Sequence, residues 1–283
     1  MNTKIELSII YIYYNTPNEL FSSLESLKTQ LSEIEYEIFI VNNASPRDIP
    51  FLKTEFKNLH VISNKKNIGY GAAINQAAKQ SMGKYLLVLN SDVIFKNNLV
   101  KLLLDKISAD STIGIIGPQI LNKNEEIIPT SSEVITPLKA MIVFTFLGNV
   151  FPLTMIKNRY FLSSFARKQM VDVPNVSGAC MLFSKEAFQK AEGFDERFFL
   201  YFEEIDICYR IKEAGYKIIY LPDAKIIHTF GTSSKSSNNI RKSFERSRYR
   251  LLSKYHTRFF SLFSEIFIRV FTISPYTLRS EAY

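Results

Sequence analysis

The stretch "KYLLVLNSDVIF", Lys84–Phe95, places one carboxylate between two apolar runs. Tyr85–Leu89 is an unbroken apolar run, typical of a strand that is buried on both faces of a parallel sheet. Asn90, Ser91 and Asp92 then interrupt the pattern before the chain becomes apolar again. Because an unpaired buried charge is costly, Asp92 needs a partner. The stretch therefore predicts a buried strand that ends in an acid with either a capping or a functional role.

Strands and helices alternate on both sides of this stretch. Apolar runs predict strands at residues 4–14, 35–45, 58–63 and 84–92, and helical spacing predicts helices after residue 16, within 67–83 and at 97–107. Such alternation is typical of an α/β fold with a mostly parallel, doubly wound sheet. Farther along the chain, 176–194 is interpreted as a strand and a helix.

Local signals mark several element boundaries. Thr16, Pro17 and Glu19 form the pattern of a helix start, in which Thr16 caps the first turn and Glu19 completes a capping box. Gly215 is placed to end a helix that begins near residue 203. Pro222 predicts a turn between two strands.

Polar residues cluster at the predicted strand ends. They are Asn15 with Thr16, Asn42 with Asn43, Asn67 with Gly69, and Asn90 with Ser91 and Asp92. In open α/β sheets, ligands bind outside the carboxyl ends of the strands. The clusters therefore predict one binding site at that edge.

Composition indicates a folded protein of ordinary type. The chain has 283 residues, of which 46% are hydrophobic and 22% charged, enough for one large α/β domain or a domain with an appendage. Two cysteines, Cys180 and Cys208, are too few for a disulfide scaffold and favour reduced thiols in a cytosolic protein. Residues 1–4 lead directly into a strand pattern, so we expect no signal peptide.

An uncharged segment of seventeen residues, 140–156, lies in the middle of the chain. It reaches only the lower limit for a membrane span, and Gly148, Asn149 and Pro152 interrupt it. We interpret it as two short apolar segments, either in the core or dipping into a membrane face.

The carboxyl-terminal tail carries most of the net charge. Between Lys235 and Arg269, nine Lys or Arg and two Glu account for +7 of the net +8. We therefore divide the chain into a domain at 1–234 and a basic helical tail at 235–283. Apolar residues recur at three- and four-residue steps, namely Leu251, Leu252, Tyr255, Phe259, Leu262, Phe263, Ile266 and Phe267. A helix packed on the domain explains this pattern nearly as well, and it is the excess of positive charge that favours an amphipathic helix on an anionic membrane. No groove-reading motif supports nucleic-acid binding.

A second acidic cluster lies in the predicted helix at 203–214. Helical geometry puts Glu204 on the apolar face, where a carboxylate near the helix start suits general-base work or favours the helix dipole. Glu203, Asp206 and Arg210 share another face, and Asp206 with Arg210 forms a predicted ion pair.

His228 ends an apolar strand pattern and is either a core histidine or a ligand. Oxygen ligands from Asp92 and a diphosphate, together with one imidazole, suit Mg²⁺ or Mn²⁺ better than zinc.

These motifs, taken in order, resemble those of the inverting family-2 glycosyltransferases of the A-type fold, particularly the bacterial rhamnosyltransferase branch. The matching segments are "SIIYIYYNTPNEL", "VNNAS", "NKKNIGYGAAINQA", "YLLVLNSDV", "VSGACMLFSKEAF", "GFDERFFLYFEEIDICYRIKEAGY" and "HTFGTSS". They span roughly residues 6–234 in family order.

The resemblance implies roles for individual residues. Asn90-Ser91-Asp92 is similar to the family's D-x-D-type motif, with Asp92 and His228 as metal ligands and Glu204 as the base. The donor-nucleotide positions it implies are Tyr13, Asn15, Asn42, Asn67, Gly69 and Asn90.

The chain departs from the family pattern at several positions. Asn42 stands where an aspartate is usual, Glu204 where Asp is commoner, and Ala77 replaces a usual glycine. With no Trp, the chain lacks the Q-x-x-R-W motif of processive synthases, which favours the addition of a single sugar.

The resemblance implies transfer of one sugar, with rhamnose from dTDP-rhamnose favoured, to a glycan or polyprenyl-linked acceptor in cell-surface polysaccharide synthesis. It implies a peripheral enzyme on the cytoplasmic face of a bacterial inner membrane. A UDP-sugar transferase, such as a galactofuranosyltransferase, and a non-catalytic nucleotide-sugar-binding scaffold stay as alternatives.

Overall fold

A ten-stranded sheet forms the centre of the protein in the computed structural model, which describes residues 5–47, 56, 58–161, 169–228 and 238–272. The strands are β1 Leu7–Tyr13, β2 Tyr36–Asn42, β3 Leu59–Ser63, β4 Tyr85–Asn90, β5 Val93–Phe95, β6 Ile113–Leu121, β7 Ile127–Ile128, β8 Val171–Asp172, β9 Cys180–Ser184 and β10 Lys217–His228. The helices are α1 Pro17–Lys28, α2 Tyr70–Ala78, α3 Leu99–Ala109, α4 Pro137–Val143, α5 Leu153–Tyr160, α6 Lys185–Lys190, α7 Glu203–Glu213, α8 Asn238–Tyr255 and α9 Arg258–Phe271.

The predicted α/β architecture is confirmed, and the parallel part of the sheet lies in the first half of the chain. Strands β3, β2, β1 and β4 are neighbours and run parallel to one another. Strand β9 is antiparallel to both β4 and β6, so the sheet as a whole is mixed rather than mostly parallel. Strand β10 runs parallel to β6 and antiparallel to β5.

Both faces of the sheet are covered, as the unbroken apolar strands indicate. All seven residues of β1 are buried, with Leu7 and Ile9 in one apolar cluster and Ile10 and Ile12 in the other. Helices α1 and α3 contribute to the first cluster, and α2, α6 and α7 to the second. Cys180 and Cys208 are buried free thiols in this core, as expected.

Two of the predicted local signals, the Thr16 cap and the Pro222 turn, need correction. Helix α1 begins at Pro17, but the Thr16 side chain makes no capping bond to it. Pro222 does not end a strand; β10 continues through it with a register shift between Leu221 and Lys225. The predicted end of α7 is confirmed, since Gly215 has a φ of +88°, a left-handed conformation that glycine adopts without strain.

The uncharged segment 140–156 forms short pieces instead of one long element. It covers the end of α4, a 3₁₀ turn at Phe146–Asn149 and the start of α5. Among the described residues, no helix has both the length and the apolar character needed to cross a membrane.

The tail forms two helices, because the helical conformation is interrupted between Tyr255 and Arg258. Helix α8 buries Leu251 and Leu252 in a third apolar cluster shared with α4, α5 and α7. Helix α9 has the opposite pattern of burial. Its polar residues Ser261, Ser264 and Glu265 are buried, and its apolar residues are largely exposed. The predicted single stripe is therefore divided between an inward-facing and an outward-facing helix.

Candidate active site

Asp92 and His228 meet although 136 residues separate them in the chain. Strand β5 pairs with the end of β10 so that His228 lies opposite Val93, the residue after Asp92. This register brings His228 Nε2 to 2.9 Å from Asp92 Oδ1, and both residues are buried. The Asn90 side-chain nitrogen lies 3.3 Å from the same imidazole atom. The sheet therefore assembles the predicted pair of side chains at one strand end.

The donor set at this point fits a hard divalent cation. One carboxylate oxygen and one imidazole nitrogen converge there, and both atom types are ligands for Mg²⁺ or Mn²⁺. Across the described ranges, no group of three or more His, Cys, Asp or Glu side chains could hold a metal alone. Such a partial set suits a cation whose other ligands are phosphate oxygens and water.

A hydroxyl pair fixes the turn that carries Asp92. Thr16 Oγ1 and Ser91 Oγ lie 2.6 Å apart in a buried contact. This bond explains why Thr16 does not cap α1, since its side chain is directed to the β4–β5 turn instead. The contact links the ends of β1 and β4, which are neighbours in the sheet.

Glu204 lies at the start of α7, close to the segment that connects it with the strand end before Asp92. A side chain at Gly178 would come within 3.4 Å of Glu204 Cβ and 3.9 Å of the Tyr70 ring. The Tyr70 hydroxyl donates to the Gly178 carbonyl at 2.8 Å. The next residue, Ala179, accepts a backbone bond from Asn90 at 3.0 Å. Residues 178–179 thus run from Glu204 to the strand end that precedes Asp92.

Burial alters the acid–base properties of this region. It raises the pKa of Glu204 to about 7, although the side chain is only half-buried and can still be reached. The pKa of Tyr70 is raised well above its ordinary value, mainly by burial and also by the charges of Glu203 and Glu204. A carboxylate with a pKa near neutrality can accept a proton from a hydroxyl under physiological conditions.

The neighbouring acids of α7 have different surroundings. Glu203 is 4% exposed, its Oε2 has no hydrogen-bond partner among the described residues, and burial raises its pKa well above the ordinary value. The predicted ion pair is confirmed, with Arg210 Nε 2.9 Å from Asp206 Oδ2. Asp206 also accepts from Lys254 and Tyr255 of α8, which makes it a structural group.

An amide network shapes the loop before α2. Asn43 donates to Asn67 Oδ1 at 2.9 Å and to the Gly69 carbonyl at 3.2 Å, and Asn67 Oδ1 also accepts from the Gly69 nitrogen. Gly69 has a φ of +94°, and a Cβ there would lie 2.7 Å from the Phe199 carbonyl oxygen. Asn43 therefore positions Asn67 and Gly69, a role that the sequence does not assign to it. Its place directly after β2 is the one signal in the sequence that points to this role.

The residues at the ends of β1 and β2 differ in exposure and in hydrogen bonding. Tyr13 is fully buried, and its hydroxyl donates to the Arg47 carbonyl at 2.8 Å. Tyr14, which is 39% exposed, is the aromatic residue at this edge. Asn15 is exposed in the left-handed region, with φ of 60°. Asn42 Oδ1 accepts from the Ser45 nitrogen, which leaves one lone pair of that oxygen for a ligand.

Comparison with known proteins gives relatives along most of the chain. The protein is 25% identical over 234 residues to the N-acetylglucosaminyl-diphospho-decaprenol L-rhamnosyltransferase of Mycobacterium tuberculosis, covering 78% of this chain and 75% of that one. It is 24% identical to the rhamnosyltransferase WbbL of Escherichia coli, covering 78% and 82%.

A solved structure has the same fold. The mannosyltransferase PcManGT of Pyrobaculum calidifontis, in complex with GDP-Man and Mn²⁺, aligns with a TM-score of 0.59 at 16% identity, covering 99% of this chain and 74% of that one. The model of "Glycosyl transferase family group 2" matches residues 134–275. The model of "Glycosyl transferase family 2" matches residues 8–191, which is more than half of the sequence, and the chain therefore belongs to that family.

Proposed function

We propose that the protein is an inverting glycosyltransferase that moves one sugar from a nucleoside diphosphate donor to an acceptor hydroxyl. The observation that carries the proposal is the 2.9 Å contact between Asp92 and His228, with Glu204 joined to the same strand end through residues 178–179. These are the parts that a single displacement needs: a place for the diphosphate and a base on the acceptor side.

Glu204 is the proposed general base. Its carboxylate accepts the proton of the acceptor hydroxyl as that oxygen attacks the anomeric carbon, and the bond from this carbon to the diphosphate breaks. One displacement of this kind inverts the anomeric configuration. Glu203, the next residue, is too deeply buried to contact an acceptor, so we assign the role to the half-buried Glu204.

Asp92 and His228 are the proposed holders of Mg²⁺ or Mn²⁺, which when bound neutralises charge that develops on the leaving diphosphate. Asn90 lies beside this pair and is positioned to donate to a phosphate oxygen. Tyr14, Asn15, Asn42, Asn67 and Gly69 are the proposed contacts of the nucleoside, with Tyr14 in place of Tyr13.

The favoured donor is dTDP-rhamnose, and a UDP-sugar, as in galactofuranosyl transfer, is the alternative. Two relatives at about a quarter identity are rhamnosyltransferases, one of which by its name acts on a diphospho-decaprenol-linked sugar. Thymine and uracil, the bases of these two donors, each offer an N3–H to the remaining lone pair of Asn42 Oδ1. We propose a polyprenyl-linked or glycan acceptor in polysaccharide synthesis.

We further propose that the protein works on the cytoplasmic membrane face. Six apolar side chains of α9 are more than half exposed: Phe259, Phe260, Leu262, Phe263, Ile266 and Val270. The adjacent α8 is strongly basic, which complements anionic lipid. An anionic bilayer is therefore the proposed occupant of this face.

A non-catalytic scaffold is the second candidate, favoured by the departures at Asn42 and Ala77. Release of nucleoside diphosphate from dTDP-rhamnose and from UDP-sugars, with and without Mn²⁺, distinguishes the two functions. We expect one donor to release its nucleoside diphosphate in a Mn²⁺-dependent way. When acceptor is present, this release should be lost in Glu204→Gln. A scaffold binds the donor and releases nothing from any member of the panel.

A further inference from the structure

A basic groove runs along the outer face of α8. One pocket of about 530 Å³ is lined by Phe199, Asn239, Lys242, Ser243, Arg246, Ser247 and Arg250. A second pocket of about 460 Å³ shares Lys242 and Arg246 and reaches Arg269 on α9. Lys242, Arg246 and Arg250 follow one another at four-residue steps, so they form one stripe on the helix. We call the two pockets together the α8 groove.

The cations of this stripe differ from the other cations of the tail. Arg241 pairs with Glu245, Arg248 with Glu265, and Lys254 with Asp206. No described carboxylate forms an ion pair with Lys242, Arg246 or Arg250.

Like charges at four-residue spacing destabilise a helix by mutual repulsion. An anionic ligand would remove that cost. Asn239 and Ser243 lie next to the stripe on α8 and add an amide and a hydroxyl to the lining of the same pocket.

The groove adjoins the candidate active site through one loop. Phe199 lines the groove, and its carbonyl accepts from the Tyr70 nitrogen at 3.0 Å, beside the proposed donor contact Gly69. Ser247 of α8 donates to the Leu200 carbonyl at 2.9 Å. The same loop leads directly into the start of α7, where Glu204 lies. An anion in the groove is therefore next to the acceptor side of the site.

We propose that the α8 groove binds the diphosphate of a prenyl-diphosphate-linked saccharide acceptor. Guanidinium and ammonium groups on one stripe match the several negative oxygens of a diphosphate. The saccharide then extends towards Glu204, and the prenyl chain follows Arg269 to the exposed apolar face of α9. This inference rests on the proposed function, since it names the acceptor class of that same site.

The test is calorimetric titration of the full chain with farnesyl diphosphate, kept below its micelle concentration, in EDTA. EDTA prevents diphosphate binding through a metal at Asp92, and the Asp92→Asn variant is included for the same reason. Lys242→Gln and Arg246→Gln alter two exposed groove cations. Arg258→Gln removes an exposed cation of the same tail outside the groove and is the matched control.

We expect each groove variant to lose about tenfold in affinity, and Asp92→Asn and Arg258→Gln to bind as the wild type does. Equal loss in Arg258→Gln, or none in the groove variants, overturns the proposal. Inorganic diphosphate is the second arm, and binding as tight as that of farnesyl diphosphate would assign the groove to a free phosphate ligand. Vesicles of phosphatidylglycerol are the third arm; groove variants that weaken only vesicle binding would assign it to bilayer headgroups. Because donor hydrolysis with Mn²⁺ is measured separately, failure of the groove and failure of the proposed enzyme give different results.

Discussion

Glu204 is the residue whose titration should control the rate. Burial raises its pKa to about 7, and the base must be ionised to accept a proton. The value of kcat/KM should therefore rise with pH and level off above about 7. Glu204→Gln should lower kcat by roughly 10²–10⁴-fold and remove this limb of the profile. Initial rates of nucleoside diphosphate release between about pH 5.5 and 9 provide the measurement.

The same substitution should increase stability at high pH. A carboxyl group whose pKa is raised on folding favours the folded state while it is protonated, and this contribution is lost as pH rises through the folded-state value. Glu204→Gln should therefore melt above the wild type near pH 8, with a smaller difference near pH 5. An unchanged difference between the two conditions would contradict the burial of Glu204.

Asp92 and His228 should bind the phosphates only through a cation. A ligand that binds only the folded protein raises the melting temperature, so Mn²⁺ should increase the thermal shift caused by a nucleoside diphosphate. Asp92→Asn and His228→Ala should each abolish this Mn²⁺-dependent part. The shift caused by the nucleoside without phosphates is the control and should be unchanged. A full Mn²⁺ effect in both variants would contradict the assigned metal ligands.

At the residue scale, strand ends were easier to predict than side-chain directions. The pairing of Asp92 with His228 was implied by the family resemblance, and the strand-end rule placed Asp92 at the binding edge. Tyr13 is buried and Tyr14 is exposed, a difference that the sequence does not indicate because a strand buried on both faces has no polar alternation. Asn43 needed three-dimensional information, since its role depends on the positions of Asn67 and Gly69.

At the element scale, one buried ion pair holds α9 on α8. Arg248 and Glu265 form two hydrogen bonds of 2.7 Å, and both side chains are at most 5% exposed. The guanidinium also lies 5.0 Å from the Phe144 ring centre. Removing one partner leaves a buried charge, so Glu265→Gln should cost about 3–5 kcal/mol of unfolding free energy. Urea denaturation followed by circular dichroism measures this loss.

The exposed pair of Lys101 and Asp105 on α3 is the matched control. Its partners are 67% and 60% exposed, so Lys101→Gln should leave the denaturation midpoint almost unchanged. Equal effects of the two substitutions would show that α9 is not anchored by the buried pair.

Elements with a strong local pattern were predicted, and those that depend on distant partners were not. Helices α2, α3 and α7 follow from spacing and end residues. The antiparallel direction of β9 depends on its contacts with β4 and β6, which no local pattern records. The break between α8 and α9 likewise depends on the body, since Lys254 and Tyr255 bind Asp206 and His256 contacts the Ile135 carbonyl.

At the scale of the whole molecule, the tail connects the candidate site to a surface. Helix α8 touches the loop before α7 through Ser247, and α9 directs its apolar residues outward. The third apolar cluster joins α8, α9, α4 and α7, so the surface is fixed relative to Glu204. An enzyme that docks through α9 would therefore present its acceptor side to the bilayer at a constant height.

Docking through α9 predicts that one charge on its exposed face prevents membrane binding. Phe263 and Ile266 are 53% and 55% exposed, so Phe263→Glu and Ile266→Glu should fold normally and lose binding to phosphatidylglycerol vesicles by about tenfold or more. Vesicle co-sedimentation measures binding, and binding of the wild type should weaken as salt is added because basic residues contribute. Met82→Glu, at a side chain that is 66% exposed and outside the tail, is the control and should bind as the wild type does. Loss of binding in this control, or retained binding in both α9 variants, would assign membrane attachment to another part of the protein.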